Sequence, residues 1–348
     1  MSPSSSAPLP LDAGGAAGAP PARGPWATAL RRLARDKAAL VALGVFLAIV
    51  VLCLLAPYYA ERVADTNPFR STLDAKVVID GEEVPVMRQS TEGLGLGFTP
   101  IGPTWTARYL LGADDQGRDV AARLLYGGRN SLLIAGAATL ICLFLATAIG
   151  LVAGYFGGVV DSVLSHLLDV IWAFPVYLLA ISLSIVLISG GFDIGPISID
   201  AGSLWLPIFI IGIVYIPYVA RPIRGQVLSL KRSEFVLAAV GLGVPSHRIL
   251  LRDILPNVAT TLIVFVPLMM ALNMLTESAL SFLSIGVQPP DASWGTIIQD
   301  GQGLLYSRPV VALAPGIAIV LSVLSLNVLG DGLRDALDPR SKIRLGRG

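Results

Sequence analysis

Charge is what this sequence lacks most. Lysine, arginine, aspartate and glutamate make up only 14% of its 348 residues, where a soluble domain carries about a quarter, and that shortage excludes an ordinary water-soluble fold. Cysteine is nearly absent: Cys53 and Cys142 both fall inside apolar runs, with no second Cys or His at ligand spacing, so a disulfide framework and a thiolate metal site are excluded. The only histidines are His166 and His247, and no HExxH or GxSxG occurs, which removes the zinc-hydrolase and nucleophile-elbow classes. Lysine is equally scarce. None of Lys37, Lys76, Lys231 and Lys342 is preceded by Gly or followed by Ser or Thr, so the chain has no phosphate-binding loop and no ATPase of its own. A net charge of +1 gives no reason to expect a nucleic-acid partner.

Apolar residues fill the space left. They form 54% of the chain, at a mean hydropathy of +0.72. The 23 residues between Lys37 and Glu61 carry no charge, and about 20 apolar residues cross a bilayer as helix. Further uncharged runs cover Asn130–Val160, Val170–Phe192, Ala201–Ala220, Ile254–Thr276 and Pro309–Gly330, so six spans are expected. The second is expected to end near Ala153, because Gly154, Gly157 and Gly158 follow. Prolines at 175, 207, 217 and 315 lie within spans, where neighbouring helices of a bundle satisfy the freed carbonyls.

The organisation expected along the chain begins with a disordered, Ser/Pro/Ala/Gly-rich cytoplasmic tail over residues 1–30. A first span over 31–60 stays as an anchor, since its apolar stretch starts too late and runs too long for a cleaved leader. An extracytoplasmic segment follows over 61–129, then a five-helix core over 130–330 and a cytoplasmic tail over 331–348. With both termini inside, 16 of the 25 basic residues fall on the inner face and 9 on the outer. Arg118, Arg123 and Arg129 run against that bias. Within 61–129 the Asp80-Gly81 pair predicts a hairpin with a two-residue turn. Residues 119–126 predict a short interfacial helix. The segment is a solvated loop or a docking surface for an external partner.

The most informative stretch is the inner segment over 221–256. Ser233 is placed to cap a short helix from Glu234, which Gly241 and Gly243 end. Pro245 suits the first turn of a second helix that stops near Pro256. Small residues at Ala238, Ala239 and Gly243 with basic residues around them make a compact knob for another surface, or else a hairpin resting on headgroups.

This segment resembles the loop of binding-protein-dependent ABC importer permeases, whose pattern is Glu-Ala-Ala, three residues, Gly, nine residues, Ile-x-Leu-Pro. Ala238, Ala239, Gly243, Leu255 and Pro256 stand at that spacing, with Leu237 in the Glu position and Asp253 in the Ile position. Leu111-Gly-Ala-Asp-Asp-Gln-Gly-Arg-Asp-Val, Gly154-Tyr-Phe-Gly-Gly, Ser293-Trp-Gly and Leu329-Gly-Asp-Gly-Leu-Arg-Asp are similar to the dipeptide, oligopeptide and nickel branch, in its second, C-type permease subunit. The resemblance implies an all-α integral membrane protein of the type I permease fold, with six transmembrane helices and both termini cytoplasmic.

It further implies half of a solute path, formed with a homologous permease as a heterodimer. One or two ATPase subunits supply two nucleotide-binding domains, which hold the ATP and magnesium, so this chain has no cofactor of its own. An extracytoplasmic binding protein delivers the solute, and membrane lipid surrounds the helices. The coupling residues it implies are Glu234, Ala238, Ala239, Gly243, Pro245, Arg248, Leu255 and Pro256. For the solute path, the polar residues within spans single out Asn273 and Glu277, four apart on one helix face, and the other reading of this pair is helix-to-helix hydrogen bonding. Trp294 lies in an outer re-entrant stretch that closes the cavity or meets the binding protein, or else simply favours the interface. His166 beside Asp169 is a structural hydrogen bond or a relay. The branch points to short peptides, with nickel or another small solute as alternatives. A gradient-driven secondary transporter is the reading from another class, and a membrane scaffold without transport activity is a third.

Overall fold

The structure, a computed structural model, describes residues 30–79, 81–90, 97–190, 192–194, 197–200 and 202–337. The expected tails, residue 30 and residues 331–337 apart, lie outside them. Ten named helices follow one another: α1 (Lys37–Leu54), α2 (Val120–Phe156), α3 (Gly158–Trp172), α4 (Val176–Gly190), α5 (Trp205–Val214), α6 (Ile216–Leu230), α7 (Glu234–Gly241), α8 (Leu255–Phe282), α9 (Trp294–Asp300) and α10 (Val310–Leu337). Among the described residues, four helical stretches are long and apolar enough to cross a membrane: α1, α2, α10 and α8 with its lead-in from Ser246. Their number reaches six if α3 with α4, bent by 86°, and α5 with α6, bent by 43°, each count as one.

Both bends have local causes. The residue before a proline is pushed out of the α region, and Phe174-Pro175 separates α3 from α4, so the expected straight span over Val170–Phe192 is two helices at a right angle. Pro217 stands in the first turn of α6, where its missing amide donor is not needed.

α2 is the central post, and two expectations about it are corrected. Asp119 caps it, its carboxylate accepting from the Ala121 and Ala122 amides at 2.9 and 3.2 Å. The expected interfacial helix is therefore the opening of α2 itself, with Val120, Ala121 and Ala122 buried. At the other end α2 runs past Ala153 to Phe156, because Gly154 is a packing glycine: a Cβ there would stand 2.8 Å from Val227 Cβ of α6. The helix stops instead at Gly157, whose φ is +71°.

Between α1 and α2 two hairpins form a cap over one end of the bundle. β1 (Lys76–Ile79) pairs antiparallel with β2 (Glu82–Pro85), Ile79 opposite Glu82, around a two-residue turn whose Asp80 lies outside the described residues. β3 (Met87–Gln89) pairs with β4 (Phe98–Pro100). A third hairpin, β5 (Phe192–Ile194) with β6 (Ile197–Ile199), links α4 to α5. The segment 283–309 joins the cap, and the 221–256 loop closes the opposite end of α2.

Candidate functional site

In the 221–256 loop, Ser233 stands at the N-terminus of α7, but its hydroxyl donates back to the Leu230 carbonyl and accepts no helix amide. α7 ends at Gly241, and Gly243 turns the chain in the left-handed region at φ +72° with open space around its Cα. Pro245 precedes the helical turn Ser246–Arg248, and a turn of π-helix, Ile249–Ile254, leads into α8. Pro256 does not stop this helix. It falls in the first turn of α8, where a missing amide costs nothing.

The loop is pinned to the bundle from one side only, by Val236, Ile249 and Ile254, each fully buried. On the other side α7 and the following turn leave Phe235, Leu237, Val240 and Leu242 exposed, Leu242 at 84%. Glu234, Ala238, Gly243, Pro245, Arg248 and Pro256 are exposed as well, while Ala239 and Leu255 are half-buried. An eight-residue helix that keeps Val236 for itself and, with the residue after it, shows four large apolar side chains to the outside is built to meet another surface.

Asn273, Glu277 and Trp294 are placed differently: all are buried within the chain. The Asn273 amide donates to Thr139 Oγ1 of α2 at 2.9 Å. Glu277 accepts from Ser281 at 2.7 Å, with the Ser131 and Ser293 hydroxyls also on its carboxylate. Trp294 donates its indole N–H to the Leu124 carbonyl at 3.0 Å and its amide to Ser131 Oγ at 3.1 Å. These groups brace α9 and its approach against α2 and α8, and helix-to-helix bonding is the reading that matches their geometry.

A cleft not anticipated from the sequence does face outward. Along α3 and α6, Asp161 pairs with Arg224 and Asp169 with Arg221, the latter at 2.7 Å. The Arg221 guanidinium stands 5.5 Å from the Trp172 ring centre. Trp172, Tyr218 and Phe265 continue as a row of rings, centroids 6.3 and 6.1 Å apart. Beside them lies a groove of about 510 Å³ lined by Tyr218, Pro222, Thr260, Thr261 and Phe265. Half-exposed charges, hydroxyls and rings on a spanning surface face water or protein rather than lipid tails. The one sequence signal was that Asp169 stands just before one uncharged run and Arg221 just after another. His166 is not Asp169's partner: its Nδ1–H donates to the Ser162 carbonyl at 2.6 Å, a turn earlier on α3. Among the described residues no cluster of His, Cys, Asp or Glu is arranged for a metal ion.

At the cap end, Arg118, Arg123 and Asp114 are buried and Asp300 is half-buried beside them: Arg118 Nε lies 2.7 Å from Asp114, and Arg118 and Arg123 reach the same Asp300 oxygen at 2.9 and 2.7 Å. Burial pushes Asp300 above the usual carboxylate range while the two guanidiniums pull it back. Burial likewise raises Asp119, against the amides of Ala122, Tyr109 and Ala121 that it accepts. A cavity of about 580 Å³ between this cluster and the 287–291 turn opens beside it.

Comparison with known proteins agrees with this layout. Residues 146–343 match the family described as binding-protein-dependent transport system inner membrane component, and residues 24–72 match the N-terminal TM domain of oligopeptide transport permease C. The chain is 34% identical to a dipeptide transport system permease protein of Alkalihalophilus pseudofirmus over 319 residues, 91% of each chain. It is 33% identical to a glutathione transport system permease protein of Pectobacterium atrosepticum, covering 92% of this chain and 93% of the relative. Against an oligopeptide transport system permease protein of Bacillus subtilis the identity is 32%, over 90% of each.

Proposed function

The chain belongs to the binding-protein-dependent transport system inner membrane components, multi-pass permeases of the type I fold, and from that premise we propose that it forms half the path of an ATP-driven importer of short peptides. The observation that carries the coupling is the one-sided 221–256 loop. Its exposed Phe235, Leu237, Val240 and Leu242 seat in a groove on a separate ATPase, which holds ATP and magnesium, since this chain has no phosphate-binding loop. Ala238 and Gly243 let that surface approach the backbone. Closure of two ATPase domains drags α6 and α8, which the loop joins. The positive-inside count supports a cytoplasmic loop and termini, with the cap on the outer face toward a binding protein.

Solute passes between this chain and a homologous permease. The cleft of Trp172, Tyr218, Arg221 and Phe265 lines the inner half of that path. Peptides fit its chemistry: Arg221 offers a charge to a terminal carboxylate, the rings offer faces to side chains, and Thr260 and Thr261 offer hydroxyls to peptide groups. The names of the relatives, dipeptide, oligopeptide and glutathione, support this cargo class over nickel.

The test is purification of the tagged chain from its native membrane in mild detergent, with mass spectrometry, comparing the wild type with Leu242→Asp. A homologous permease and an ATPase are expected with the wild type, and the variant is expected to shed only the ATPase. A chain that purifies alone in both forms, with uptake that resists ATP depletion and collapses under a protonophore, assigns the gradient-driven alternative instead.

A further inference from the structure

We propose that the cap stands on the membrane: Phe98, Trp105 and Tyr306 form an aromatic foot that rests in the headgroup layer of the leaflet on the cap side. All three are exposed, at 71%, 78% and 102%. Each lies two residues from a bond that fixes its height. Tyr59, just past α1, donates its hydroxyl to the Ala107 carbonyl at 3.0 Å, tying the Trp105 turn to the end of a spanning helix. Arg308 Nε donates to the Pro100 carbonyl at 2.7 Å, tying the strand of Phe98 to the segment of Tyr306.

The Trp105 turn is built around one hydroxyl. Thr104 Oγ1 lies 2.8 and 2.9 Å from the Arg108 and Tyr109 carbonyls and accepts the Thr106 amide, while Trp105 itself sits at φ +55° with its ring directed outward. A bulky residue in the left-handed region costs about 1–2 kcal/mol, so the ring is held outward against its backbone preference.

The occupant follows from continuity. α10 exposes Leu313, Ile317, Val320 and Leu324 at helical spacing, a stripe that runs down a spanning helix from Leu305 and Tyr306. On α1, Leu47, Val51 and Leu54, with Leu55 just past its end, lead in the same way to exposed Tyr58. Both stripes are apolar along the span and end in aromatic residues at the cap. Tyrosine and tryptophan concentrate at the membrane interface because the ring is apolar and its edge is polar, and exposed Arg108 is placed to meet a lipid phosphate. A cap anchored this way does not tilt as the helices beneath it move.

The experiment uses the full chain with its co-purifying subunits in nanodiscs of ordinary or brominated phosphatidylcholine, with bromines high on the acyl chains. The fluorescence difference between the wild type and Trp105→Phe isolates Trp105 from the other tryptophans. Brominated lipid is expected to abolish most of that difference signal, and aqueous iodide to leave it. A signal that iodide quenches and brominated lipid does not would overturn the foot, as would one that neither quenches, the result for a ring buried against another protein. Since Cys53 and Cys142 are buried, a nitroxide on Tyr306→Cys reports independently: collisions with oxygen are expected to exceed those with a water-soluble nickel chelate, and the reverse order counts against the foot.

Discussion

The two ends of the bundle solve opposite problems. At the cap, charged residues are inside: Arg118 and Arg123 are 7% and 2% exposed and share Asp300, while Asp114 takes Arg118 and the amides of Gln116 and Arg118. At the 221–256 loop, apolar residues are outside, and α7 buries only Val236. A buried charge with its partners in the same chain marks a place that completes itself. An exposed apolar face with no partner in the chain marks one that another polypeptide completes. The difference teaches where to look for function: the heavily bonded end is self-contained, and the sparsely bonded end is where the proposed coupling to a partner belongs.

The comparison breaks first, if it breaks at all, at Asp300. Asp300→Ala removes the carboxylate that bridges two buried guanidiniums and leaves them Asp114, 2.7 Å from Arg118 and 3.4 Å from Arg123, so the cost is expected at the lower end of the ~3–5 kcal/mol of a broken buried pair. The variant is expected to lose most of its detergent-stable fraction, read by size-exclusion after a temperature ramp. Behaviour like wild type would mean that the cap is no scaffold. A smaller contrast uses two glycines. In Gly128→Ala the new methyl lies 2.7 Å from the Trp294 ring, an overpacking expected to cost ~1–3 kcal/mol. Gly241→Ala in α7 has nothing within 4 Å and is expected to be neutral or slightly stabilising.

Acidity gives a third contrast. Burial raises Asp119 and Asp300 above the ordinary carboxylate value, so the folded cap holds a proton more readily than the unfolded chain. That contribution is fully present below the ordinary carboxylate pKa and is lost as pH rises through the folded value. Protease resistance of the cap is therefore expected to rise modestly on acidification from neutrality, with no matching change at the loop. A fall in cap resistance over the same range would show that the ion pairs outweigh the burial.

Much of this was legible in the sequence, and what was hidden was hidden for physical reasons. Uncharged runs locate spans because lipid imposes length and apolarity, and the Asp80-Gly81 pair locates a hairpin because its turn demands such residues. The loop residues were singled out because they stand at the spacing of the family pattern that the segment resembles. The bend at Pro175 was misjudged because hydropathy records that a run is apolar and not which way it points. Gly154 was misread as a stop, since a glycine that ends a helix and one that admits Val227 look alike without the neighbour. Arg118 and Arg123 opposed the topology count for the same reason: their partner Asp300 lies 182 and 177 residues away, and paired buried charges carry no free charge to sort. Asn273 and Glu277 are polar residues within a span, and only the structure shows that they turn toward Thr139 and Ser281 and not toward the cleft.

The smallest expected effect on stability is the sharpest test of the contrast. Leu242 is 84% exposed, so Leu242→Asp removes no packing and buries no charge, and surface changes of this kind stay within about 0.5 kcal/mol. The melting of the chain purified without its ATPase should be unchanged. The ATPase retained by the variant should nevertheless fall about tenfold or more, since a carboxylate forced into an apolar seat costs at least the ~1.4 kcal/mol that a factor of ten requires. A paired Phe235→Ser should act in the same direction and less strongly, because that ring is only 46% exposed and part of it packs on its own bundle. If both variants melt lower and keep their ATPase, the exposed face belongs to this chain's own fold, and the contrast between a self-contained cap and an unfinished loop is lost. If they keep their stability and lose the ATPase, the loop's apolar face has no duty in folding, and its composition answers to the partner alone.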